Sequence, residues 1–353
     1  MESSAKKRIL YVAMKYDYGF PERGLSFEHT NFYDAVWHMG HELIYFDFMT
    51  VMQQRGREAM NRMLLEVARS EKPHFLFCVL FRDELDKDVV REISENMDTL
   101  TLNWFCDDHW RFDDYSRYWA PVFNWVATTA SSAVPKYRRM GYENVIKTQW
   151  ACNHYSYRRL DLPLMYDVTF VGQPHGDRRR VIDALREAGI RVQVWGTGWQ
   201  SGRLSQEAMI RVFNQSRINL NLSNASVKRR RRRILPWRGS DDRQQIKGRN
   251  FEVPGCGGFL LSSRADNLED YYNIGEEIAC FNDTRDLIDK VKYYLAHEEE
   301  RMQIAEAGYR RTLAEHTYAH RFREIFSVTN LEATRRAVDS SSPQGTVGPK
   351  GGP

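Results

Sequence analysis

Cysteine is sparse and odd in number: Cys78, Cys106, Cys152, Cys256 and Cys280 are scattered along 353 residues. That usage fits buried thiols in a reducing cytoplasm and argues against a disulfide framework or a zinc site. No run of about 18 apolar residues occurs, so no membrane-spanning helix is expected. The opening MESSAKKRILYVAMKYD lacks a long apolar segment ending in a small-residue cleavage site, and Lys6 onward reads as a first strand and not a signal peptide. Net charge is only +4, so the chain as a whole is not a polycation and any basic function is local. No GxGxxG follows the first strand, which weakens a nicotinamide-dinucleotide reading. No short-period repeat is visible. No metal-ligand cluster stands out, and neither a metal nor a bound cofactor is expected.

What the chain does contain is alternation. Apolar runs at Arg8–Ala13, Glu42–Phe48, His74–Leu80, Leu100–Phe105, Phe123–Ala127 and Val145–Gln149 read as strands, with helical spacing between them. A polar, irregular stretch, Trp150 to Pro163, reads as a linker. The alternation then restarts with strands at Asp167–Val171, Arg191–Trp195, Ile218–Leu222, Phe259–Leu261 and Ala279–Phe281, and a long charged helix over Glu298–Arg321. Strand–helix alternation predicts open parallel α/β sheets, here two of them with a cleft between. The expected domains are 1–155 and 156–330, with 331–353 a disordered tail poor in apolar residues.

Ligands of such sheets bind beyond the carboxyl ends of the strands. In the first half this rule selects the loop Lys15–Gly24 and the group Asp107, Asp108 and His109. These last residues carry three readings: oxygen ligands for a divalent metal, a general base on an acceptor hydroxyl, or caps for Arg111 and the following helix. The base role is preferred to metal, since no second carboxylate cluster stands out. In the second half the rule selects Gly172–Arg178 (GQPHGDR) and Gly196–Trp199 (GTGW). Gly172 and Gly176, before a helix whose first turn carries Arg178 and Arg179, read either as an ordinary turn or as a diphosphate seat of amides, a helix N-terminus and a guanidinium, and Gly196 and Gly198 are further donor-binding candidates.

The stretch Gln244–Ser263, QQIKGRNFEVPGCGGFLLSS, reads as a helix, a glycine stop and a buried strand. Glu252 then falls in the last helical turn, where the dipole disfavours it. It is either a surface carboxylate paired with Arg249 or Lys247, or a carboxylate aimed at two adjacent hydroxyls of a ligand. The run Lys228–Arg233, KRRRRR, is read as a solvated loop or as an attractor of an anionic ligand, acceptor or peripheral membrane surface. Nucleic-acid binding ranks below these, since no aromatic interleaves the run before Trp237.

Taken together, Asp167–Gly172 (DVTFVG), Val194–Trp199 (VWGTGW), Ile246–Leu261 (IKGRNFEVPGCGGFLL) and Ala305–Arg321 (AEAGYRRTLAEHTYAHR) resemble the GT-B glycosyltransferases, in particular the spore-maturation-protein (CgeB)-like group. NWFCDDHWRF in the first half resembles the same group more loosely, and the likeness spans roughly Lys6 to Val328. The resemblance implies two Rossmann-like domains of GT-B type, with a nucleotide-sugar donor mostly on the second and an acceptor on the first. It implies Glu252 on the ribose hydroxyls, with Lys247 and Arg249 at the diphosphate and no obligatory catalytic metal. The retaining branch of the fold often carries a second Glu eight residues earlier. Here that position is Gln244, an amide that supplies no charge, so the anomeric outcome is open. The acceptor, whether glycan, lipid, protein or small molecule, is equally open. A non-catalytic sugar-nucleotide or glycan-binding protein is the alternative reading.

Overall fold

The structure, a computed structural model, describes residues 6–223 and 244–331. The basic run Lys228–Arg233 and nearly all of the expected tail lie outside the described residues.

The first lobe is a six-stranded parallel sheet in the order β2-β1-β3-β4-β5-β6, with β1 Arg8–Val12, β2 Glu42–Phe46, β3 Phe75–Cys78, β4 Leu100–Phe105, β5 Trp125–Thr128 and β6 Val145–Lys147. Helices cover both faces, so its inner strands are apolar throughout. Leu10, Val12, Leu76 and Cys78 point to one side, against Met60, Leu64, Val90 and Ile93 of the helices Arg57–Glu71 and Lys87–Asn96. Ile9, Tyr11, Phe75, Phe77 and Trp104 point to the other. The second lobe carries β7 Tyr166–Val171, β8 Val192–Trp195, β9 Ser216–Asn221, β10 Leu260–Ser263 and β11 Ala279–Phe281, in the order β11-β10-β9-β7-β8. Counted from its own first strand, each sheet has the order 2-1-3-4-5, with a sixth strand added in the first lobe. Both are therefore Rossmann-like sheets with a switch point beside the first strand, where such sheets open to a ligand.

The chain crosses between lobes twice, and the crossings lie side by side. The Cys152 amide donates to the His316 carbonyl at 2.9 Å, and the Tyr318 amide donates to the Cys152 carbonyl at 3.0 Å. Arg321 ties the same place together, donating to the carbonyls of Gln149 (3.2 Å) and Glu315 (3.3 Å). The helix expected over Glu298–Arg321 is broken here into Glu298–Glu315 and Tyr318–Val328. Thr317 stops the first and caps the second, in a capping box with His320. The break redirects the chain. Tyr318, Phe322, Ile325 and Phe326 join the core of the first lobe, under the face that carries Phe75 and Phe77. The last helix thus belongs by packing to the lobe that the chain had left at residue 150.

The Gln244 stretch also differs from expectation. Gln244–Lys247 is not helical, and the helix is Arg249–Gly255. Pro254 lies inside this short helix, one residue before its end. Glu252 consequently sits near the start of a short helix and not in its last turn, so the dipole penalty anticipated for it is absent. Gly255 is required by the linker: a Cβ there would lie 2.2 Å from the Cys152 sulfur.

Candidate active site

The carboxyl ends of the two sheets face one another. Between them lies a cleft of about 460 Å³ lined from both lobes, by Asp17, Tyr18 and Phe27 on one side and Gly172, Gly196 and Arg249 on the other. Asp17, Tyr18 and Phe27 are shared with a smaller cavity of about 190 Å³ that runs into the first lobe, past Glu28, Phe81, Asp107 and Arg111. One ion pair, Asp17 with Arg203, joins the lobes at this cleft.

On the second lobe, two glycine turns are stacked. The Gly172 amide donates to the Trp195 carbonyl at 2.8 Å, and the Trp199 indole donates to the Gly172 carbonyl at 2.7 Å. Gly196 has a φ of +143°, and a Cβ on it would lie 2.4 Å from the Gly172 oxygen. Neither turn admits a side chain at the contact; the Gly172 and Gly196 amides are spent on the Trp195 and Gly202 carbonyls, and the residues that follow them, Gln173 and Thr197, line the cleft. Gly198, with φ +98°, accepts a bond at its carbonyl from Arg179, behind the turn. Arg178 does not line the cleft. It donates to the carbonyls of Gln173 (2.9 Å) and Leu222 (2.5 Å), tying the ends of β7 and β9 together. Burial lowers its pKa to about 10.

The helix Arg249–Gly255 is anchored by a buried amide network. Asn221 Nδ2 donates to Asn250 Oδ1 at 3.0 Å and to Ser262 Oγ at 3.1 Å, while Asn250 Oδ1 also accepts from the Lys247 amide at 2.9 Å. This presents Arg249 to the cleft. Its guanidinium pairs with Glu252 one turn on. Glu252 is fully buried and does not line the cleft, and its second oxygen has no hydrogen-bond partner among the described residues. Of the two spacing-based readings, the pairing with Arg249 is the one present, in the interior and not at the surface. Lys247 is half-buried. Burial lowers its pKa to about 8, opposed by Asp107 of the other lobe and reinforced by Arg178. Gln244 lies outside the cleft, and its carbonyl accepts from the Asp266 amide at 3.4 Å.

On the first lobe the three candidates separate. Asp107, at the end of β4, lines the cavity. Asp108 turns inward, 1 % exposed, and accepts from the Tyr137 hydroxyl at 2.8 Å. Burial raises its pKa to about 6. That is a structural placement, but not the cap expected: the helix Asp108–Arg111 has no side-chain cap hydrogen bond at its start. His109 is half-buried and lines neither the cavity nor the cleft. Sequence reasoning missed Glu28, the Asp17–Arg203 pair and the Asn221–Asn250–Ser262 network. Only Asp17 had a signal, through the loop Lys15–Gly24. Among the described residues no His, Cys, Asp or Glu cluster of three or more is spaced to hold a metal ion, and no helix is long and apolar enough to cross a membrane.

Comparison with known proteins bears on this geometry. Residues 178–327 match the family model described as "Glycosyl transferase-like". The match takes in the second glycine turn, Lys247, Arg249 and Glu252. No curated protein sequence matches the chain. Among solved structures, a glycosyltransferase from Rickettsia africae is similar at 9 % identity and a TM-score of 0.63, covering 94 % of this chain and all of its own. Anabaena HepE in complex with UDP and glucose is similar at 9 % identity and a TM-score of 0.57, covering 95 % of this chain and all of its own. Sucrose-phosphate synthase from Thermosynechococcus elongatus gives 10 % identity, a TM-score of 0.58 and the same coverage. At these identities the likeness is one of fold: two Rossmann-like domains in the GT-B arrangement.

Proposed function

We propose that the chain transfers a sugar from a nucleotide-sugar donor to an acceptor hydroxyl, with fixed amides and cations, not an obligatory metal ion, meeting the diphosphate. The observation that carries the reading is the shared cleft, with stacked glycine turns and Arg249 on one wall and carboxylates on the other. As the glycosidic bond breaks, negative charge gathers on the diphosphate oxygens. Groups held in place there stabilise the transition state more than the ground state. The acceptor proton needs a base, and the first lobe supplies carboxylates. Closure of the lobes about their paired crossings would exclude water from the donor. The family match over the second lobe and the bound UDP and glucose of HepE support the same assignment.

The test is calorimetric titration with UDP, GDP, ADP, dTDP and CMP, followed by release of the nucleotide from the matching sugar conjugates. One nucleotide is expected to bind and its conjugate to turn over. Binding without turnover on any acceptor would favour the sugar-nucleotide-binding alternative. Glu252→Ala should weaken the bound nucleotide at least tenfold, about 1.4 kcal/mol, by releasing Arg249 from its position.

Lys247 makes the affinity pH-dependent. Its pKa lies near 8, below the ordinary lysine value, so the ammonium is present below that pH and lost above it. Nucleoside diphosphate affinity should therefore fall between pH 7 and 9, by up to about tenfold per unit. Lys247→Met should bind more weakly at pH 7 and with a flat profile. A wild-type affinity constant from pH 7 to 9 would remove Lys247 from the diphosphate site.

A further inference from the structure

One carboxylate at the cavity makes no ion pair among the described residues. Glu28 lines the cavity with Asp17, Asp107 and Arg111, and among the described residues its carboxylate meets the Ser26 hydroxyl and its own amide. Its backbone is fixed from several sides. Ser26 Oγ donates to the Met14 carbonyl at 2.6 Å and accepts from the His29 amide at 3.0 Å, and the Tyr11 hydroxyl donates to the Glu28 carbonyl at 2.8 Å. The chain then winds as a π turn, His29–Tyr33. It does so again after Asp107, at Phe112–Ser116. Such turns are rare and collect at functional sites. Both abut the same cavity: Glu28 precedes the first, Arg111 precedes the second, and Tyr115 and Ser116 lie within it.

We propose that Glu28 is the catalytic base, taking the proton of the acceptor hydroxyl in this cavity. The inference rests on the transfer reading above. The acceptor oxygen bonds to the anomeric carbon, and the bond from that carbon to the diphosphate oxygen breaks. The electron pair leaves on the diphosphate, and the acceptor proton ends on the Glu28 carboxylate. Asp17 is occupied by Arg203, and Asp107 faces Lys247 across the gap. Glu28 is the carboxylate that burial makes more basic, and Asp17 and Asp107 add to this. The other groups about it are Tyr11, Tyr18, Tyr45, Cys106, Tyr115 and Arg111. Aromatic walls and three carboxylates suit a neutral, hydroxylated ring and repel an acceptor that carries phosphate or carboxylate at the reacting end.

The experiment compares wild type, Glu28→Gln and Glu28→Asp for nucleotide affinity by calorimetry. It then follows nucleoside diphosphate release from the matching donor, with water and neutral hexoses as acceptors, between pH 4.5 and 8. In Glu28→Gln, affinity should stay within about twofold while release falls about 10²–10⁴-fold. The wild-type rate should drop as pH falls through the Glu28 titration, since only the ionised form accepts a proton. Glu28→Gln should lose this acid limb, and Glu28→Asp, which keeps the charge, should retain it at a lower rate and a near-wild-type melting temperature. Release by Glu28→Gln within threefold of wild type, or an unchanged acid limb, overturns the proposal. A wild type that binds nucleotide yet releases none from any donor, or that binds no nucleotide, takes down the transfer reading and this proposal with it.

Discussion

Arg249→Ala is expected to cost about 3–5 kcal/mol of stability, the usual penalty for stranding one partner of a buried ion pair. The cause is Glu252, fully buried with one oxygen already lacking a hydrogen-bond partner among the described residues. Removing Arg249 leaves a whole carboxylate in the interior. For lobes of this size that is a drop of roughly 10 °C in Tm. The double variant Arg249→Met/Glu252→Leu should recover most of it, since apolar groups of similar volume often replace buried pairs at little cost. Nucleotide affinity should be lost in the single and double variants alike, which separates Arg249's role in binding from its role in folding. A single variant melting within 2 °C of wild type would mean that the charge is not buried as described.

Gly196→Ala is expected to damage the donor wall directly. Its φ of +143° is one that side chains avoid, and the new Cβ would meet the Gly172 backbone, 2.4 Å from the oxygen and 2.6 Å from the carbon. Backbone cannot yield as a side chain can. The turns after β7 and β8 must separate, and the cost should exceed the about 1–2 kcal/mol of the conformation alone. Nucleotide affinity should fall by a hundredfold or more. Gly189→Ala is the control: φ is +82° and nothing lies within 4 Å of the new Cβ. It should cost about 1–2 kcal/mol and leave affinity unchanged. Equal effects of the two substitutions on binding would show that the stacked turns do not shape the donor wall.

Much of the architecture was legible in the chain, because strands covered on both faces must be apolar throughout. Runs such as FLFC in β3 or LTLNWF in β4 leave little choice. The glycine turns were legible for a similar reason, since close backbone approach leaves glycine as the workable residue. What escaped was set by distant neighbours. Asp107 and Asp108 are adjacent in sequence, yet one lines the cavity and the other meets Tyr137. No local pattern separates them. The break at Thr317 was hidden because its capping box closes with His320 in place of the usual Glu or Gln. Glu252 could be marked as special by its place before a glycine bend. Its burial beneath Arg249 depends on where that helix docks, which the Asn221–Asn250–Ser262 network decides. Glu28 had no sequence signal at all; it became visible only once the two π turns were seen to border one space.

The returning helix Tyr318–Val328 has a consequence for how this architecture can be shuffled. By strand order the two lobes look like interchangeable modules. As lengths of chain they are not. A fusion that borrows residues 6–155 leaves behind the helix whose Phe322 and Phe326 seal its sheet. One that borrows the remainder carries that greasy helix with no socket to receive it. Any recombination that trades a donor specificity must therefore be drawn as an internal graft, with both ends of the chain kept on the same parent.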